Sequence, residues 1–256
     1  MHTAPEPDPA ETTVERVALL FALAAEAQPL VERLMLAEQP AVDPQLRQRH
    51  YAGRVGTLHV DLLTNGQDPR SGVDRVGTDA ATMAAYIAIR KLSPDLVVNA
   101  GTCGGFQAQG ARVGDIYVSA GDLLYHDRRI PLPHFQVQAQ GRWPATPAPH
   151  LAKAIGAKPG VVSTGNSLDY TPDEFEFMRR EHVCAKDMEA CAIAQVCAQC
   201  AVPFVAVKAV TDLVDNPEPV QEAFLRNLRT VSALLGERME AGVRWLAAHP
   251  RRVSEL

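Results

Sequence analysis

The sequence predicts an α/β fold: one domain, with a central mixed β-sheet flanked by helices. Three observations predict it. Short continuous apolar runs, which read as buried strands, alternate along the chain with segments of helical apolar spacing. The 256 residues are 46% hydrophobic but only 5% aromatic, and alanine is abundant, which suits helices packed tightly on a sheet. No internal repeat and no linker divides the chain, so residues 15–256 are expected to form a single domain behind a tail, 1–14.

The elements follow in order. The N-terminal stretch MHTAPEPDPAETT is acidic and Pro-rich and reads as a disordered tail. VALLFAL, 17–23, is a buried strand, and Glu26 to Leu36 carries Leu30, Val31 and Leu34 at helical spacing. Residues 50–65 read as a hairpin with its turn near Gly53 to Gly56. Asp74 to Leu92 has Ala80, Ala84 and Ile87 on a helical period. DLVVNAG is the next buried strand, ending at Gly101. VGDIYVSAGDLL, 113–124, is another strand, and YHDRRIPLPHF, with His126 and His134 at its two ends, is a loop. GVVSTGNSLDY is a strand running into a loop. Pro172 to Arg180 is a short helix, with proline in its first turn and Thr171 as its cap. A helix starts near Ala190, VPFVAVKAVTD is a strand, and 219–247 is a long final helix.

Composition excludes several classes. A net charge of −5 with scattered basic residues argues against nucleic acid as a partner. No apolar run reaches the ~18 residues a membrane span requires, and the N-terminus lacks a secretory pattern. Five irregularly spaced cysteines read as reduced thiols of a cytoplasmic protein. Cys197-Ala-Gln-Cys200 resembles a redox or zinc pair only superficially. A redox pair wants its first thiol at a helix N-terminus, and these lie near a C-terminus.

In open α/β sheets, ligands sit beyond the carboxyl ends of strands. NAGTCGGF, STGNSLD and TDLVD all fall at such ends, and Glu26 lies just past the first strand. The glycines around 101–105 permit close backbone approach to a ligand or form a tight strand-to-helix turn. Asp212 ends an apolar strand, where it could cap a turn or act as an acid whose pKa is raised by burial. Glu189 opens a helix, where the dipole favours a carboxylate, but Met188 beside it fits neither a cap nor a charged surface.

DMEACAIAQVCAQCAVPFVAVKAVTDLVD, with FALAAEAQPL, NAGTCGGF, HDRRIPLPHF and STGNSLDYTPDEF, resembles the 5′-methylthioadenosine/S-adenosylhomocysteine nucleosidases of the nucleoside phosphorylase superfamily. HDRRIPLPHF, STGNSLDYTPDEF and KAVTDLVD look plant-type. The resemblance runs from about residue 17 to 247. It implies a nucleoside phosphorylase-like fold, a homodimer, a small nucleoside substrate, and no metal or cofactor. It also implies roles. Glu26 matches the glutamate that activates water, and Asp212 the acid that protonates adenine at N7. Glu189 matches the residue that binds the ribose hydroxyls, and Met188 the one packed against the sugar. Thr102, Cys103 and Gly104 match the loop beside ribose and base, and Leu168 lines the base pocket. Lys186 and Asp187 belong to the same substrate-binding motif. Cys103 replaces a frequent alanine, Asn166 an aspartate, and Thr211 a serine usual in bacterial members.

Rival readings remain at this level. A phosphorylase of the same fold would need basic groups for phosphate, and Arg70 and Arg75 are the ones on offer. A futalosine-type nucleosidase and a non-catalytic nucleoside-binding protein are the others.

Overall fold

The computed structural model describes residues 9–248 and 251–256. Among them the chain forms eleven strands and seven α-helices. The strands are β1 (Arg16–Phe21), β2 (Ala37–Gln39), β3 (His50–Val55), β4 (Leu58–Thr64), β5 (Leu96–Gly105), β6 (Ile116–Ser119), β7 (Asp122–Tyr125), β8 (Gly141–Pro144), β9 (Lys158–Thr164), β10 (Val183–Asp187) and β11 (Phe204–Leu213). The helices are α1 (Ala24–Leu34), α2 (Thr78–Leu92), α3 (Phe135–Gln140), α4 (Pro149–Ile155), α5 (Pro172–Arg180), α6 (Ala190–Gln199) and α7 (Val220–Ala248).

All strands belong to one mixed sheet, ordered β2-β3-β4-β1-β5-β11-β6-β9-β7-β8. Parallel pairs link β4, β1, β5 and β11, while β11 and β6 run antiparallel. β10 stands off this path. It pairs in parallel with β9 and antiparallel with the end of β5. Strands β5, β11, β6, β9 and β10 therefore close a ring, and that closure positions the site described below. Two apolar layers cover the sheet. Leu19, Val98 and Val207 pack under Leu30 of α1 and Leu235 of α7, and Val97, Ala206 and Val210 pack under α2 and α6. The α2 and α6 contribution is mostly alanine, so these helices sit close to the strands.

Several sequence expectations shift. Strand β5 does not end at Gly101 but continues through Gly105, so the glycine cluster is strand rather than a strand-to-helix turn. A Cβ on Gly105 would lie 2.8 Å from both Ala111 Cβ and Val210 Cγ1, which is why the strand carries no side chain there. The hairpin turns at Gly56-Thr57, with Gly53 inside β3. Helix α2 starts four residues later than Asp74. That aspartate instead accepts the Ala24 N–H at 2.7 Å, at the start of α1. The 113–124 segment splits into β6 and β7 around Gly121, whose φ of +74° suits glycine. β2, β8, β10, α3 and α4 were not foreseen. α5 begins and ends as the sequence predicts, with a Thr171/Glu174 capping box.

Residues 1–8 of the expected tail lie outside the described residues, but 9–14 depart from it. Val14 is buried, its N–H donates to Arg251 O at 2.8 Å, and Thr12 O accepts from Val253 N at 2.9 Å. Val14 burial, these backbone bonds and the Arg252–Glu11 ion pair join this stretch to the C-terminal segment.

Candidate active site

At the carboxyl ends of β1, β5 and β11 lies a cavity of about 270 Å³. All ten residues singled out from the sequence line it: Glu26, Thr102, Cys103, Gly104, Leu168, Lys186, Asp187, Met188, Glu189 and Asp212. They reach it by several local devices.

Glu26 is the third residue of α1, and one carboxylate oxygen accepts the Leu23 N–H at 3.2 Å, as an acidic first-turn residue should. Its other oxygen accepts from Thr102 twice, from the amide at 2.8 Å and the hydroxyl at 2.6 Å. The carboxylate is buried, and three bonds fix its orientation.

Asp212 is aimed by a β-bulge. Val210 pairs with Cys103 and Asp212 with Gly104, so Thr211 is the extra residue. The Thr211 hydroxyl lies 2.8 Å from Asp212 Oδ1 and 3.1 Å from Cys103 O. Asn227 of α7 holds the Thr211 carbonyl at 2.8 Å. The carboxylate sits against Gly104, where a Cβ would come within 2.8 Å of Oδ2. Burial pushes Asp212 up to about 6, against the Thr211 hydrogen bond and the charge of Lys186, which lower it. The Cys103 thiol is raised well above its ordinary value by burial, so it is neutral here.

Asp187, Met188 and Glu189 form the turn from β10 into α6. Asp187 Oδ2 accepts the Ala190 N–H at 2.8 Å, at the helix start, and its Oδ1 accepts from the Thr164 hydroxyl. Glu189 accepts the Gly77 N–H at 2.9 Å. Burial raises Glu189 to about 7, Lys208 opposing and Asp187 reinforcing.

Lys208 was missed in the sequence. It lies in the middle of β11, in an apolar run where a lysine looks like a solvated interruption. Its side chain is 1% exposed, and its ammonium lies 2.7 Å from Asp187 Oδ2. Burial disfavours that charge, but Asp187, Glu189 and Glu26 together hold the Lys208 pKa above its usual value. Burial likewise disfavours the Asp187 carboxylate, and Lys208, with hydrogen bonds from Thr164 and Ala190, brings it below the usual range. A buried lysine at a strand centre opposite a D-x-E turn was the available signal.

Beyond Thr211 and Tyr170, the remainder of the wall is apolar: Ala22, Leu23, Val76, Val214, Val220 and Phe224, the last two from α7. Among the described residues no arginine lines the cavity. The Arg70 side chain is 88% exposed and paired with Asp68. Cys197 is buried inside α6 and Cys200 ends it, both as free thiols. Among the described residues no group of three or more His, Cys, Asp or Glu is arranged to hold a metal ion.

The geometry has relatives. Residues 16–241 match the family model of the phosphorylase superfamily. The chain is 37% identical over 226 residues to a 5′-methylthioadenosine/S-adenosylhomocysteine nucleosidase of Arabidopsis thaliana, covering 88% of this chain and 89% of that one. It is 38% identical over 224 residues to a 5′-methylthioadenosine nucleosidase of the same plant, covering 87% and 84%. The solved structure of an Arabidopsis thaliana 5′-methylthioadenosine nucleosidase in apo form superposes with a TM-score of 0.91 at 36% identity, covering 96% of this chain and 100% of that one. The chain therefore belongs to the phosphorylase superfamily, within its 5′-methylthioadenosine nucleosidases.

Proposed function

We propose that the protein hydrolyses the N-glycosidic bond of 5′-methylthioadenosine, releasing adenine and methylthioribose. The observation that carries this reading is the pair formed by Glu26 and Asp212. Glu26 lies against Gly101 and Asp212 against Gly104. Both carboxyl groups line the same cavity, so a nucleoside held there would meet an acid and a base, the two groups that glycosidic hydrolysis through water requires.

The roles follow from the environments. Asp212 donates its proton to adenine N7 as the C1′–N9 bond breaks and both bonding electrons leave with the base. Positive charge then builds on the ribosyl ring. Water adds its hydroxyl to C1′ and gives its proton to Glu26. Opposed acid and base roles need differently tuned carboxylates; burial keeps Asp212 protonatable near neutral pH. Glu189 accepts from the ribose hydroxyls, Met188 packs beneath the sugar, and Leu168 flanks the base. Thr102 holds Glu26 in line.

The 5′ end of the substrate would face the uncharged wall of Leu23, Val76, Val220 and Phe224. That surface suits a methylthio group. The amino and carboxylate groups of a homocysteine tail would find no charged partner among these four, so 5′-methylthioadenosine is the preferred substrate in this reading.

The chain also presents apolar side chains to solvent. Met83 and Tyr86 on α2, and Leu132, Phe135 and Val137 after β7, are 44–66% exposed. Asn166 ties the two segments, accepting from Thr78 and donating to Asp127. Exposed apolar patches of this kind mark interfaces, and we place a homodimer contact here. Light scattering of wild type against Tyr86→Glu/Phe135→Glu tests it; an unchanged mass would refute the placement. The free thiols, buried or half-buried, suit a reducing compartment such as the cytoplasm.

The decisive experiment incubates the protein with 5′-methylthioadenosine, with and without phosphate, and identifies the products. Adenine and free methylthioribose are expected in both. Sugar 1-phosphate formed only with phosphate would make the protein a phosphorylase. Binding without adenine release would make it a nucleoside-binding protein. Release only from a futalosine-type substrate would reassign the 5′ pocket.

A further inference from the structure

Lys186 is not explained by the roles above. It lies in β10, and its register partner in β5 is Gly104. Gly104 is also the register partner of Asp212 in β11. Lys186 and Asp212 thus flank the same glycine from opposite sides, their Cα atoms about 10 Å apart at ordinary strand spacing. Gly104 puts no side chain between them, and the Lys186 charge acts on Asp212 through space rather than as a direct ion pair. Both residues line the cavity.

The ammonium has a second attachment. Nζ donates to Ser167 O at 2.7 Å and to Leu168 O at 3.0 Å. Two consecutive carbonyls of the loop after β9 therefore converge on one cation, and that loop presents Leu168 to the base. Lys186 itself is only 6% exposed. A buried charge of this kind is costly unless hydrogen bonds and opposite charges offset its desolvation.

We propose that Lys186 is a positioning residue that couples base binding to leaving-group protonation, holding the Ser167–Leu168 carbonyls while presenting its charge to Asp212. This rests on the nucleosidase reading above. When Asp212 gives its proton to adenine it becomes a carboxylate. An ammonium across Gly104 stabilises that carboxylate and makes Asp212 the stronger acid. The same ammonium keeps the base-contacting loop in the register that brings N7 to Asp212.

Other charged groups surround the pair. Asp187, Asp169 of the loop and Glu174 of α5 face Lys186 and favour its charge, while burial lowers its pKa. His126, from the loop after β7, is pushed down to about 4 by burial and by Lys186. It stays neutral above that pH. Cys103 beside Asp212 stays a thiol. Glu189, raised to about 7, titrates in the useful range, but its cation is Lys208 rather than Lys186, and at saturating substrate the ribose hydroxyls hold it ionised.

The test uses Lys186→Gln, which keeps N–H donors for the two carbonyls but removes the charge, and Lys186→Arg, which keeps the charge. Lys186→Met is the second uncharged variant, and thermal melts confirm that each folds. The readout is kcat against pH on 5′-methylthioadenosine and on a nitrophenyl riboside bearing the same 5′ group, whose leaving group departs unprotonated. Loss of the ammonium disfavours the Asp212 carboxylate, so the limb on which kcat falls with rising pH should move up by about one pH unit. Below the limb, kcat on the nucleoside should fall roughly tenfold in Gln and Met. Lys186→Arg should leave the limb in place. On the nitrophenyl substrate all variants should approach wild type. A limb unmoved in Gln and Met, or equal losses on both substrates, would overturn the proposal and leave Lys186 a structural loop anchor. If wild type fails to release adenine from the nucleoside at all, it is the nucleosidase reading that falls.

Discussion

Replacing Asp212 by asparagine tests the division of labour in the cavity and has a second consequence for stability. Asparagine keeps the shape and can still bond Thr211, but it has no proton to transfer. Loss of a positioned acid is typically worth ~10²–10⁴-fold, so kcat on 5′-methylthioadenosine should fall by that factor with binding retained. The structure shows what the native carboxyl gains from burial. With its pKa raised from 3.8 to about 6, about one molecule in ten carries the proton at pH 7, against fewer than roughly one in a thousand at the ordinary value. On the nitrophenyl riboside, Asp212→Asn should recover much of its activity. Glu26→Gln should not, because the water still needs its base. Equal recovery in both variants, or recovery in neither, would refute the assignment. The stability consequence has a definite sign. A carboxyl whose folded pKa is raised binds its proton more tightly when folded. The stability this gives is present below about pH 3.8 and is lost as pH rises to about 6. Asparagine escapes that loss. Urea unfolding should therefore find Asp212→Asn more stable than wild type above pH 6, by up to about 3 kcal/mol, with the gap closing toward pH 4. A variant less stable than wild type at pH 7 would show that Asp212 is held by interactions other than those described.

Three further outcomes are expected. Lys208→Met leaves Asp187 buried without its cation and should cost about 3–5 kcal/mol in chemical unfolding; adding Asp187→Asn should recover part of it, and additive losses would mean the two are not coupled. Gly104→Ala places a Cβ 2.8 Å from Asp212 Oδ2 and 2.7 Å from Val214 Cγ2, so activity should drop at least tenfold in a folded protein; wild-type kinetics would mean the strand gives way easily. Cys197→Ala with Cys200→Ala should keep activity while lowering the melting temperature, Cys197 leaving a small core cavity. Activity lost in a folded variant, or restored to the parent by added zinc, would contradict the structural role of these thiols.

Much of this molecule is determined by local sequence. The alternating apolar runs give the α/β class, because a strand buried on both faces and a helix with one apolar face leave few other ways to hide their surface. α5 is legible to the residue, since its cap, its proline and its capping glutamate are all contiguous. Glu26, Asp212 and Glu189 are legible through the motifs that carry them, and the cavity does gather them. Other features depend on contacts between segments far apart in the chain. That β5 runs on through its glycines follows from its pairing with β11 and β10, and the need for glycine at 105 from Val210 and Ala111, residues that no local pattern relates to it. β10 hides as a strand because Lys186 and Asp187 look like surface. Their charges are tolerated only because Ser167, Leu168, Thr164 and Lys208 come from elsewhere to receive them. The sequence lists the charged groups of the site. Only the closing of β10 between β9 and β5 decides which cation faces which carboxylate, because burial makes each pairing depend on distances of a few Å that no spacing along the chain encodes.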